Sequence, residues 1–201
     1  MIVFLQLTGG VLYTISKLCF SLAERAKKRD NAVRERSCRA LAWILCIVGL
    51  PPFLVLFAIR HNWIAAGVEV SGVPAMLIGL LIALKGVNWR MPRWLEWFAR
   101  LCIVGGFTWS LLDFHGITDA RQLIETTMVA AFLIGTYQVA HKKRVGYRCY
   151  VVMHAAMATL CAVQSWWWLT AQQILSIVFV VDAYRASPVS EIDDDLEASE
   201  M

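Results

Sequence analysis

The sequence predicts an all-α integral membrane protein of seven transmembrane helices. Two observations predict it. Of 201 residues, 59 % are hydrophobic and only 17 % charged, and the charges cluster, leaving apolar runs between them. Runs of about 20 such residues are what a helix needs to cross hydrocarbon. The basic residues also alternate along the chain, crowding into "ERAKKRDNAVRERSCR" (24–39), "KGVNWRMPRWLEWFAR" (85–100) and "HKKRVGYR" (141–148). The intervening loops, "RHN" and "DFHGITDAR", hold only Arg60 and Arg121. By the positive-inside rule the basic stretches face the cytoplasm, so the N-terminus is outside and the C-terminus inside. The apolar runs lack the period-2 alternation of a membrane barrel.

The first predicted helix covers 2–22. No basic residue precedes it, no small-x-small cleavage site follows it, and a basic cluster comes next. It reads as an inserted helix and not as a cleaved leader. Gln6, Gly10, Tyr13, Lys17, Ser21 and Glu24 recur along it every three or four residues, a polar stripe on an apolar helix. Lys17 is expected to snorkel to the cytoplasmic face. The second helix, 40–59, contains Pro51-Pro52, and the third, 64–84, contains Glu69, Gly72, Pro74 and Gly79. Each proline frees a backbone carbonyl one turn back, which membrane helices tolerate where neighbours pack or a cavity is lined.

The fourth helix, 98–112, is the shortest. The stretch before it, "WRMPRWLEWFAR" (89–100), puts Trp94, Trp97, Phe98 and Leu101 on one face and Arg93, Glu96 and Arg100 around the other. That pattern suits an interfacial anchor. In the fifth helix, 122–140, Glu125 and Thr136 lie three turns apart on one face. The sixth, 148–165, follows a stripe of Tyr147, Tyr150, His154, Ala158, Cys161 and Ser165, and the seventh, 169–184, contributes Gln172, Gln173 and Ser176. "QSWWWLTAQQ" (164–173) places Trp166, Trp167 and Trp168 in the outer turn, where indoles prefer headgroup depth; a ring turned inward as a stacking platform is the alternative. The acidic tail (186–201) reads as disordered. The six cysteines show no CxxC spacing and read as small buried apolar residues.

An internal repeat is visible. "NWIAAGVEVS" (62–71) aligns without gaps on "WWLTAQQILS" (167–176), pairing Trp63 with Trp168 and Ser71 with Ser176; at that offset Arg39 falls on Arg144. Helices one to three and five to seven then run in the same sense, with helix four inverting the chain between them. The chain divides into a first three-helix repeat (1–84), an interfacial stretch with a linker helix (85–118), a second repeat (119–185) and the tail. Parallel repeats about an axis along the membrane normal are a transporter architecture.

The segment "DARQLIETTMVAAFLIGTYQVAHKKRVGYRCYVVMHAAMATLCAVQSWWWLTAQQILSIVFVVDAYR" (119–185) resembles the last three helices of the PnuC nicotinamide riboside transporters. Two parallel three-helix bundles joined by a linker helix are shared by that family and the SWEET sugar transporters. The resemblance implies facilitated diffusion of a small polar solute, such as nicotinamide riboside or a related nucleoside or vitamin precursor. The chain has no Pro-Gln pair. Its asparagines, Asn31, Asn62 and Asn88, lie in or beside loops, unlike the mid-helix asparagines of sugar-carrying relatives.

A charge at the centre of a membrane helix costs about 2.5–3.5 kcal/mol on insertion scales, so polar side chains should face partners or a cavity. The expected solute site is Glu69, Glu125, His154, Gln164, Gln172 and Gln173 converging on a central cavity, with Trp168 at its outer rim. No catalytic residue, metal ligand or cofactor is expected, since HExxH, a Gly-rich phosphate loop and metal-spaced histidines are all missing from the sequence. The expected partners are the lipid bilayer and a small polar solute, with a homo-oligomer left open and nucleic acid excluded. Anionic headgroups account for the net charge of +4. The expected location is the cell (inner) membrane. The competing reading is a multi-pass scaffold without transport.

Overall fold

A computed structural model of the chain describes residues 2–59, 63–86, 92–113, 120–163 and 165–187. These form seven α-helices: α1 (Ile2–Lys28), α2 (Ala32–Ile59), α3 (Trp63–Lys85), α4 (Arg93–Asp113), α5 (Ala120–Ala140), α6 (Val145–Val163) and α7 (Trp167–Ala186). The predicted outer loop 60–62, most of the loop 113–121, Gln164 and the acidic tail beyond Ser187 lie outside the described residues.

The largest departure from expectation is the basic stretch 24–39, read as a loop. It is helical except for a turn at 29–31. Lys, Arg, Glu and Ala are strong helix formers, and a charged helix can continue past the hydrocarbon at little cost. Asp30, at positive φ, reverses the chain, and Asn31 Oδ1 caps α2 by accepting the Arg34 N–H at 3.0 Å. With 27 and 28 residues, α1 and α2 are about 40 Å long at ~1.5 Å per residue, longer than a bilayer core. Residues 93–100 of the interfacial stretch and the fourth helix likewise prove to be one continuous helix, α4, while 87–91 lie outside the described residues.

Four segments are long and apolar enough to cross a membrane: Val3–Lys28, Ala32–Ile59, Ala66–Lys85 and Gln122–Ala140. α4, α6 and α7, of 21, 19 and 20 residues, are not among these four over their described residues. The outward surfaces fit a lipid environment. Val3, Phe4, Leu7, Val11 and Ile15 form an exposed stripe on α1, and Leu41, Ile44, Val48, Val55 and Ile59 form one on α2. In water, contiguous apolar stripes of this length would be an aggregation surface.

Helix neighbours follow a simple order. α1 packs on α2, α2 on α3, α3 on α5, α5 on α6, α6 on α7, and α7 back on α1. Six helices thus close a ring, and α4 lies outside it against α3 and α5. The ring is tight where small residues meet large ones. Gly79 of α3 lies against the buried Trp43 indole, which meets Phe20 edge-on with centroids 4.9 Å apart. Met76, Ile78, Leu133 and Val180 extend this apolar core.

One end of the ring gathers the basic stretches. Lys142, in the α5–α6 turn, pairs with Glu35 near the start of α2 at 3.0 Å, and Arg36 lies beside Gly86 at the end of α3. This basic end is therefore shared by both halves of the chain.

Candidate functional site

The inner face of α1 is the spine of the interior. Gly10, Tyr13, Lys17, Ser21 and Glu24 fall on it at helical spacing, as the sequence predicts, and each meets a polar or aromatic partner from another ring helix. At Gly10 the backbone oxygen accepts a bond from Gln172 Nε2 of α7 at 3.1 Å. A Cβ there would lie 2.5 Å from Gln172 Oε1, so a larger residue would displace the end of the Gln172 side chain from this contact. One turn on, the Tyr13 hydroxyl donates to Glu69 Oε2 of α3 at 3.1 Å. Ser16 contacts Cys46 of α2, Oγ to Sγ 2.9 Å.

Lys17 corrects the expectation that it snorkels to the basic face. It is 3 % exposed, with its ammonium 4.2 Å from the centroid of the Tyr150 ring of α6 and 5.9 Å from those of Tyr13 and Phe20. The ammonium therefore stays inside because aromatic faces replace water around it. Tyr150 donates to Thr136 Oγ1 of α5 at 3.2 Å, and Thr136 donates to the Phe132 carbonyl at 2.7 Å. One turn beyond Tyr150, His154 Nδ1 lies 2.6 Å from Gln173 Oε1 of α7. All six ring helices contribute to this cluster.

Of the expected site residues, Glu69, His154, Gln172 and Gln173 are thus distributed along the α1 face. Glu69 is tied to Tyr13, His154 to Gln173, and Gln172 to Gly10. Glu125 is half-buried near the start of α5 and engaged with a partner. Trp168 is 62 % exposed, and Trp166 and Trp167 are exposed beside it, as members of an interfacial belt would be. Gln164 lies outside the described residues.

Sequence reasoning missed the polar seal at the basic end. The Glu24 carboxylate accepts from Arg39 Nη2 at 2.7 Å and from the Tyr147 hydroxyl at 2.8 Å. Both members of that ion pair are almost completely buried. Arg39 also lies 3.4 Å from Glu35, which pairs with Lys142. Asp182 of α7 takes a two-point contact from Arg25, at 2.9 and 2.5 Å, and a hydrogen bond from Ser21. The available signal was the position of Glu24 and Arg39 on either side of one turn, with opposite charges at matching height.

Several buried polar atoms have no protein partner among the described residues; they include His154 Nε2 and Gln172 Oε1 in the cluster, Glu24 Oε2, Arg39 Nε and Arg39 Nη1 at the seal, and the Trp43 Nε1 donor in the packing of α2 on α3. Such atoms are rare in native interiors and mark places where water or a ligand is accommodated. Compared with protein-family models, curated proteins and solved structures, the chain matches none. The case for function therefore rests on its own residues.

Proposed function

We propose that this chain is a multi-pass membrane facilitator for a small polar solute, bound between its two halves against the inner face of α1. The observation that carries this reading is the interior itself. Every ring helix turns a polar or ionisable group inward, including Lys17 and Glu69, while the outward faces are apolar. Groups this costly in a membrane interior belong where they meet one another and a permeant. A scaffold needs helices that pack, but it has no need of a buried ammonium on α1 or of an α3 carboxylate turned to the Tyr13 hydroxyl.

The helix order supports the internal repeat. Exchanging α1, α2 and α3 with α5, α6 and α7 maps the ring's neighbours onto themselves, with α4 left outside as the connector that inverts the chain. In this reading all seven helices span the cell (inner) membrane. The N-terminus is outside and the basic end cytoplasmic, in keeping with the positive-inside rule. The solute class follows the PnuC resemblance, nicotinamide riboside or a related nucleoside or vitamin precursor. No nucleotide-binding motif is in the sequence, so no ATP-driven step is assigned to this chain, and facilitated diffusion follows the PnuC resemblance.

Reconstitution into proteoliposomes tests the reading. Uptake of labelled nucleosides and vitamins should be saturable and should fall at least tenfold in Glu69→Gln and Lys17→Met, both of which should still insert. Equal uptake by wild type, both variants and empty vesicles would remove the proposal.

A further inference from the structure

We propose that the interior site selects solutes by the hydrogen-bond donors they present, admitting neutral solutes with clustered hydroxyl or amide N–H groups and rejecting anions. This rests on the transport reading above. It comes from the polarity of the two cluster atoms that have no protein partner.

Gln172 is oriented by chemistry. The Gly10 carbonyl can only accept, so the amide nitrogen must face it, as it does at 3.1 Å. The free end of the amide is then the oxygen, buried and without a protein partner. His154 meets the other amide of this pair: with Gln173 Oε1 facing it at 2.6 Å, Nδ1 is the donor of this contact. In a neutral imidazole Nε2 is then left with a lone pair, and this atom too is buried without a protein partner. Both free valences are acceptors. Glu69, one turn of α1 away from Gln172's anchor at the level of Tyr13, adds a carboxylate to the same face.

Lys17 is a charged donor on the same face of α1, and the Trp43 N–H lies in the packing behind Phe20. The Lys17 ammonium sits over the Tyr150 ring, 4.2 Å from the centroid and 5.9 Å from those of Tyr13 and Phe20, so aromatic faces already surround it. A solute that brings donors satisfies both acceptors, whereas one that brings only acceptors leaves them unpaired and adds repulsion.

The test uses purified full-length protein, ligand-induced thermal stabilisation and proteoliposome uptake. The probes are uridine, nicotinamide and D-ribose, each beside its O- or N-methylated counterpart, with uridine 5′-monophosphate as the anion. At least one donor-bearing probe should bind, its methylated counterpart should bind roughly tenfold more weakly or worse, and the monophosphate should not bind. His154→Leu and Gln172→Leu should each weaken the preferred probe by a similar factor. His154→Gln, which restores an amide oxygen, should recover much of the loss. Unliganded melting shows which variants fold, and the comparison of probe pairs on wild type needs no variant. Methylated probes or the monophosphate binding as well as the parent would overturn the selectivity and leave transport standing. No binding and no uptake of any probe would overturn both.

Discussion

The Lys17 ammonium of α1 lies 4.2 Å from the centroid of the Tyr150 ring of α6, joining the two halves of the chain through a buried cation–π contact. Desolvated contacts of this kind contribute about 2 kcal/mol. The ring face and the hydroxyl can be separated by mutation. Tyr150→Phe keeps the face and loses only the bond to Thr136, whereas Tyr150→Leu loses both. Thermal unfolding in detergent should place the Leu variant about 2 kcal/mol below the Phe variant. Equal midpoints would show that the ring does not hold the ammonium.

The Glu24–Arg39 pair gives a second prediction. Removing one partner of a buried ion pair strands the other charge, at a cost of about 3–5 kcal/mol. Arg39→Met should be destabilised to that extent, and Glu24→Leu by less, because Arg39 keeps Glu35 at 3.4 Å. The double variant should regain most of the loss, because neither charge is left buried alone. Denaturant titration of the four proteins closes the cycle. Additive losses would mean that the two side chains act independently.

Much of the helical layout can be read from sequence because helices long and apolar enough to cross a membrane write themselves in long runs. The polar stripe of α1 is also visible there, since Gly10, Tyr13, Lys17 and Glu24 follow the helical period. What the stripe meets is not visible. Lys17 looks like a snorkelling residue because its neighbours in sequence are apolar, and the aromatic cage that keeps it inside comes partly from α6, more than a hundred residues away. The loop reading of 24–39 failed for a different reason: charge density marks the edge of the hydrocarbon, and a helix does not have to stop there. The Asp182–Arg25 contact had no local signature at all, as it spans almost the whole chain.

Packing between α2 and α3 yields the third prediction. A Cβ at position 79 would overlap the buried Trp43 indole, and Trp43 is held in turn by Phe20. Overpacking of a filled core costs about 1–3 kcal/mol. Gly79→Val should therefore lower the unfolding midpoint by that amount, and Gly79→Val/Trp43→Leu should relieve the clash. A midpoint for Gly79→Val equal to wild type would mean that the two helices sit farther apart than described.

The seal at the basic end can be tested without knowing the solute. Cys46 is buried at the interior cluster, where it contacts Ser16, and it is a free thiol. In a variant whose other five cysteines are replaced by alanine, a membrane-impermeant maleimide applied from the basic end should label Cys46 slowly. Asp182→Asn weakens the charge-assisted contacts from Arg25 and Ser21, which tie α7 to α1. Labelling from the basic end should then rise severalfold, while labelling from the opposite end stays unchanged. Arg25→Gln should reproduce the effect, since it removes the other half of the same contact. If neither variant changes the rate from either end, the contact is a surface ornament and the interior is closed by packing alone.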